Sequence, residues 1–396
     1  MKCVLLVVVV CLLSCSGNKY TGIPEKYYAL LDQALKNAGE NAGELKKALE
    51  KVPVEQKEGM AFLISYMPER DLKELTADFL LENTEYAYKA REKYTWAQSL
   101  PDSIFLNEVL PYVSMNETRE GWRKDFYNRF DKYVVNCQTI FEAIDSVNRN
   151  IRDEILVDYN TKREKPDQSP FESIRQGMAS CSGLSILLTD AFRSVGIPSR
   201  IAGTPCWHDE RGNHNWTEVW ADGNWYFTEY YFPGQLNNAW FFADAGKAVK
   251  DDLQKAIYAS SFKLTATYFP LVWDETIRYV CAANVTDFYV SLYKSHLSEI
   301  STDGNHLPLR LMMFADNQCV QNSDSRVAVN VDIFCGKSQM GGGRTAGPTQ
   351  DMNDVLTFML EKGQTYTIKY ADAAGNSKSI DVLLQDQAEE VKLYMK

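Results

Sequence analysis

The chain has 396 residues, 45% hydrophobic and 24% charged, with 42 basic against 53 acidic side chains and a formal net charge of −11. That length exceeds one average domain and the composition supports real apolar cores, so two or three domains are expected. No basic stripe is visible, which removes the electrostatic footprint of a nucleic-acid binder, and the acidity argues against adhesion of the folded part to an anionic bilayer.

The first segment, MKCVLLVVVVCLLSCSGNKY, begins with Lys2, runs through an apolar stretch at 4–13 and reaches Ser14-Cys15. The stretch is too short to span a bilayer and has the shape of a secretory h-region. Leu12-Leu13-Ser14-Cys15 looks like a bacterial lipobox. Residues 1–20 are therefore expected to be a lipoprotein signal peptide and tether, with Cys15 lipidated and the protein held at the cell envelope, facing outside the cytoplasm. Membrane contact would run through that lipid only. Cys3 and Cys11 fall in the removed segment, leaving Cys137, Cys181, Cys206, Cys281, Cys319 and Cys335. Outside the cytosol pairing is permitted, and Cys319 with Cys335 is the candidate pair. No CxxC occurs, so zinc has no handle; neither a metal nor another cofactor is expected.

Residues 21–148 read as a helical region. Trp122, Phe126, Phe130, Tyr133 and Val134 recur at helical spacing, as do Ile140, Phe141, Ile144, Val147 and Ile151, while Pro68, Pro101 and Pro111 punctuate the earlier part. Residues 149–274 are mixed: a polar loop at 160–170, a helix, short strands and a strongly aromatic stretch. From residue 275 to 396 the period switches to two, as in Val327, Val329, Val331 and Ile333, or Tyr366, Ile368 and Tyr370. That predicts a β-sandwich with Gly341-Gly342-Gly343 as a flexible loop. The sequence Cys335-Gly336-Lys337-Ser338 lacks the leading glycine of a phosphate-binding loop, since Val331 stands there.

Chemistry concentrates in the middle. Leu184, Leu187, Leu188, Ala191, Phe192 and Val195 form one apolar helical stripe, ended by Gly196 and Pro198 and capped in front by Ser180 or Ser182. Cys181 therefore lies in the first turn, where unpaired N–H groups favour thiolate over thiol. Farther on, HNWTEVW alternates so that His214, Trp216, Glu218 and Trp220 share a face. Asp222-Gly223 predicts a two-residue hairpin turn that pairs Trp220 with Trp225 and sets Glu229 diagonally across from His214. A three-residue turn would flip Glu229 to the other face. A thiol, a histidine to take and return its proton, and a carboxylate to orient that histidine are what thiol catalysis requires. Glu218 is expected to be a structural or rim carboxylate, Cys206 a packing residue, and His208 solvated. Trp207, beside the polar loop HDERGN, is expected at the cleft rim as a substrate contact.

The blocks GMASCSGLS, RSVGIPSRIAG and HNWTEVWADGNW, in this order, resemble the transglutaminase-like superfamily over about residues 173–233. The resemblance implies an α+β fold with a papain-like core, flanked here by the helical N-terminal region and the C-terminal β-sandwich. It aligns Cys181 with the family cysteine and His214 with the family histidine; Glu229 falls where the family usually carries aspartate. It also implies thiol-dependent acyl chemistry on amides: a protease or amidase acting on a peptide, protein or glycopeptide through a Cys181 thioester, or a transglutaminase. Papain-like enzymes often use an upstream glutamine in the oxyanion hole, which makes Gln176 the candidate beside the Cys181 backbone N–H. The alternative from another class is a non-catalytic surface lipoprotein that binds glycan or peptide on the same fold.

Overall fold

The computed structural model describes residues 20–210, 212–234, 236–317, 325–349 and 355–396. Cys15 and the whole lipobox lie outside the described residues, and so does Cys319 with its candidate pairing. Among the described residues Cys137, Cys181, Cys206, Cys281 and Cys335 are free thiols. No helix among them is long and apolar enough to cross a membrane.

The chain divides into two compact units, residues 1–84 and 85–396. The first is built from short helices, Tyr28–Asn37, Ala42–Lys51, Lys57–Tyr66 and Glu69–Glu74. Leu31, Leu45, Leu63 and Leu72 from these helices are buried. Asn41 Nδ2 donates to the carbonyls of Leu72 and Leu75, both at 2.9 Å, closing the last turns of the unit.

The second unit holds the remaining fold. Its helices Trp122–Val134 and Ile140–Ile155 carry the two stripes read from the sequence, with Trp122, Phe126, Phe130, Ile144, Val147 and Ile151 buried. Thr139 caps the latter helix by accepting the Glu142 N–H. This helix runs through residue 148, so the boundary expected there falls inside a continuous element. The expected break at 160–170 is a loop, after which Ser169 and Glu172 form a reciprocal capping box on the helix Pro170–Gln176. The cysteine helix, Cys181–Ser194, follows.

Six antiparallel strands form one sheet in the order Asn224–Thr228, His214–Ala221, Ser199–Thr204, Tyr258–Ser261, Cys281–Asn284 and Thr267–Tyr268. The hairpin register is Trp220 opposite Trp225, with Asp222 and Gly223 both at positive φ (47° and 86°), as a two-residue type I′ turn requires. The cysteine helix packs on this sheet. Its C-terminal end is held by Arg193, whose guanidinium donates to the carbonyls of Glu108, Ser199 and Val113. Arg123 donates to Val109, Pro111 and Arg193 carbonyls beside it. Gly196 stops the helix at φ 73°, and a Cβ there would sit 2.7 Å from Ala97 Cβ.

The period switch comes later than the sequence reading placed it. Residues 281–284 still pair in the central sheet, and a 17-residue helix, Thr286–Thr302, occupies what was expected to be strand. Phe288, Tyr289, Leu292 and Tyr293 of this helix pack on the aromatic core around Trp216, which is why an apolar helix face is needed there. The β-sandwich begins at His306. A four-stranded sheet (Ser338–Arg344, Asn330–Cys335, Gln364–Ala371, Ser377–Leu384) and a three-stranded sheet (Leu356–Glu361, His306–Phe314, Glu389–Tyr394) enclose Leu309, Leu311, Ile333, Phe358, Ile368 and Leu393. The α+β class and the C-terminal sandwich thus stand as expected. The glycine run at 341–343 is not a flexible loop but the middle of a strand, Ser338–Arg344, paired to Asn330–Cys335. A Cβ on Gly343 would come within 2.5 Å of the Leu356 side chain, so glycine there lets the two sheets close together.

Candidate active site

Cys181 is the first residue of its helix, and Ser180 in front of it is the cap, its hydroxyl accepting the Gly183 N–H at 3.1 Å. At that position the helix offers the Cys181 N–H no intrahelical acceptor. Gly183 is tight for a reason of packing: a Cβ would lie 2.9 Å from Ala179 Cβ. His214 is likewise the first residue of its strand, the last rung of the ladder with Thr204. Cysteine and histidine therefore meet at the ends of a helix and a strand packed on each other. Side-chain bonds hold these two elements together, Thr217 Oγ1 donating to the Ser185 carbonyl at 3.4 Å among them. Asn215 Nδ2 donates to Ser182 Oγ at 2.7 Å, and this amide lies where a side chain on Gly203 would be, with Asn215 Oδ1 only 1.9 Å from a Cβ built there. Gly203 is thus required by its neighbour across the ladder.

Glu229 follows directly after the return strand, and its Oε1 lies 2.6 Å from His214 Nε2. Nε2 is engaged there, which leaves Nδ1 as the ring nitrogen for the His214 hydrogen bond with Cys181. The carboxylate is set by Asn148, buried in the helix Ile140–Ile155. Its Nδ2 donates to Thr228 Oγ1 at 3.0 Å and to the Glu229 carbonyl at 2.8 Å, while its Oδ1 accepts the Phe232 N–H at 2.7 Å. Asn148 and Asn215 escaped the sequence reading. Asn148 was legible only as a polar residue inside an apolar stripe, and Asn215 only as the neighbour of a candidate histidine.

Electrostatics match the geometry. Burial disfavours the thiolate, but the hydrogen bond and charge of His214, with the Asn215 N–H and Ser182, outweigh it and hold the Cys181 thiol below its ordinary range. Burial also pushes His214 down, and the hydrogen bonds and charges of Cys181 and Glu229 outweigh it, raising the imidazole to about 10. Both shifts favour the same state at neutral pH, a thiolate beside an imidazolium. The His214 ring is enclosed by Trp240, Phe241 and Trp216, with centroids at 4.9, 5.3 and 5.9 Å. In this sheltered setting the ion pair is poorly screened.

Cys181, His214 and Glu229 line one cavity of about 520 Å³. Tyr159, Tyr230, Phe232 and Trp240 give it aromatic walls, and Asn213 and Gln339 give it neutral amides. Two expected site residues are not there. Trp207 is only 3% exposed; it stacks on Trp216 at 6.0 Å and belongs to the core behind His214, whereas Trp240 takes the place on the wall. The alternation of apolar residues around 207 could not separate a rim tryptophan from a core one. Gln176 ends the helix Pro170–Gln176 and is not among the cavity walls; its Oε1 accepts the Glu164 N–H at 3.1 Å. Its Nε2 is buried and donates to no partner among the described residues.

The remaining polar candidates are accounted for by packing. Glu218 is buried, accepting from Arg200 Nε and from the Tyr289 hydroxyl, both at 2.6 Å, while Trp216 Nε1 donates to that hydroxyl. Of the two roles expected for it, structural or rim, it takes the structural one, and Arg200 stacks over Trp225 at 3.6 Å. His208 is not simply solvated: its Nε2 lies 3.5 Å from the buried Asp244, and with Asp209 they place three potential metal-ligand atoms within 4.8 Å of one another. Asp209 Oδ2 already accepts the Arg344 N–H. That bond makes Asp209 an anchor of its loop on the strand Ser338–Arg344.

The transglutaminase-like superfamily matches residues 128–230, a span that contains Asn148, Cys181, His214 and Glu229. Residues 128–230 form a transglutaminase-like domain. It is inserted between flanking regions that the match does not cover, and it begins within the helix Trp122–Val134. No curated protein matches the chain. A solved structure described as a candidate cysteine protease from Cytophaga hutchinsonii is similar over 35% of this chain, at 15% identity and a TM-score of 0.28. The match spans 45% of that protein, less than half its length, and so slight a likeness carries nothing about chemistry. The transglutaminase-like domain supports a cysteine-dependent enzyme of the hydrolase or acyl-transfer kind.

Proposed function

We propose that the protein is a cysteine amide hydrolase, a protease or amidase acting on a peptide, protein or glycopeptide. The observation that carries this reading is the 2.6 Å contact of Glu229 with His214 Nε2 in the same cavity as a Cys181 held toward thiolate. The thiolate attacks the amide carbonyl carbon, and the oxyanion that forms is met by the Cys181 N–H at the helix start. The C–N bond breaks as the His214 imidazolium gives its Nδ1 proton to the leaving amine, which leaves an acyl-thioester. Neutral His214 then takes a proton from water, the hydroxide adds to the thioester, and the C–S bond breaks to release the acid and restore the thiolate. Glu229 keeps the ring oriented and stabilises its charged form throughout.

The pH behaviour follows from these shifts. Alkylation of Cys181 by iodoacetamide is expected to stay fast to lower pH than for an ordinary cysteine and to fall as pH drops through the lowered thiol value. Turnover should fall as pH rises through about 10, where His214 loses the proton the leaving amine needs. A thiol that alkylates slowly and climbs with pH like free cysteine would instead mark a binding scaffold.

For location, we propose a lipoprotein anchored through Cys15 at a bacterial envelope, facing outside the cytoplasm, on the strength of the residues Leu12-Leu13-Ser14-Cys15 after an apolar run. Cys15→Ser is expected to move the protein from the membrane fraction to the soluble fraction. Unchanged fractionation would remove the lipid anchor from the account.

A further inference from the structure

One wall of the cavity comes from the β-sandwich. Gln339 belongs to the strand Ser338–Arg344 of the β-sandwich, yet it lines the cavity with Cys181, His214 and Glu229. We propose that the β-sandwich is part of the substrate site, and that the Gln339 carboxamide binds an uncharged, amide-bearing segment of the substrate. This rests on the cysteine-hydrolase reading above.

Three observations carry it. First, the Gln339 side chain is held at one end: its Nε2 donates to Asp332 Oδ1 at 3.1 Å, which orients the amide plane and leaves Oε1 as an acceptor for a substrate N–H. Second, the strand is seated on the core on the C-terminal side of Gln339. A Cβ on Gly341 would lie 3.1 Å from the Phe358 ring and 3.9 Å from the Trp240 carbonyl, so glycine there permits close approach to the segment whose indole forms the cavity wall. Three residues on, the Arg344 N–H donates to Asp209 Oδ2 at 3.1 Å. These contacts fix where Gln339 stands relative to Cys181. Third, among the described residues no lysine or arginine lines the cavity, and Glu229 is the acidic side chain on its wall. A free carboxylate would find no unengaged cation there, because the His214 imidazolium is already paired with Cys181 and Glu229, whereas neutral amides find Gln339, Asn213 and Asn215 as hydrogen-bonding partners and aromatic faces for packing.

The test compares two alkylating probes on the full protein and on Gln339→Ala. Iodoacetamide reports the Cys181 thiolate alone, and an N-acetylated, uncharged dipeptidyl chloromethyl ketone must also occupy the cavity. In Gln339→Ala the peptidyl reagent is expected to inactivate at least tenfold more slowly, through weaker saturable binding with an unchanged maximal rate, while the iodoacetamide rate stays at the wild-type value. Equal peptidyl inactivation in variant and wild type overturns the assignment and leaves the hydrolase reading standing. A wild-type Cys181 that reacts selectively with neither probe overturns the hydrolase reading first, and the role of Gln339 with it.

Discussion

Cys181→Ala is expected to abolish amide turnover, with a loss on the order of 10⁶ in kcat, while folding is retained. The sulfur faces the cavity rather than the sealed core, and the helix keeps its Ser180 cap and its apolar stripe, so little packing is lost. Loss of a nucleophile in a site of this kind cannot be made up by the histidine and carboxylate, because they act only through it. The measurement is steady-state cleavage of an internally quenched peptide library, with thermal denaturation of both proteins alongside. Retained cleavage at an unchanged melting temperature would move the chemistry away from Cys181 altogether.

Glu229→Gln is expected to lower kcat by about 10⁴-fold at neutral pH, in the range seen when the orienting carboxylate of a catalytic triad becomes an amide. The side chain keeps its length and can still touch Nε2, so geometry is nearly preserved while the charge is lost. Without that charge the imidazolium loses one of the partners that raise it to about 10. His214 then sheds its proton at lower pH, the thiolate loses its counter-charge, and the Cys181 thiol rises. The alkaline limb of turnover should therefore move down in pH, and the acid limb of iodoacetamide alkylation should move up. Limbs that stay in place would show that Glu229 does not act through His214. Glu229→Asp restores the charge but shortens the arm, and it should recover only part of the rate, because the 2.6 Å contact here is made by the longer side chain from a backbone held by Asn148.

Local patterns carried much of this molecule. The apolar stripe from Leu184 to Val195 with Ser180 before it and Gly196 after it specified a capped helix with Cys181 at its start, since periodicity, cap and stop all lie within twenty-odd residues. Asp222-Gly223 specified the turn, and with it the register that sets Glu229 diagonally from His214, because a two-residue I′ turn permits one pairing. Strand alternation likewise located the C-terminal sandwich.

What depended on distant chain segments was decided only by the folded structure. Trp207 and Trp240 are both tryptophans in an aromatic stretch; which is core and which faces the cavity depends on the helix Thr286–Thr302, far along the chain, whose Tyr289 closes the core behind Trp216. That helix was itself hidden between strands, its apolar residues needed by a partner the sequence does not name. Gly341-Gly342-Gly343 looks like a loop until the opposing Leu356 and Phe358 show that the glycines are there for close approach. Gln339 had no local signal at all. Its place in the cavity arises because a second domain is pressed against the first, and contacts between domains leave no period in either sequence.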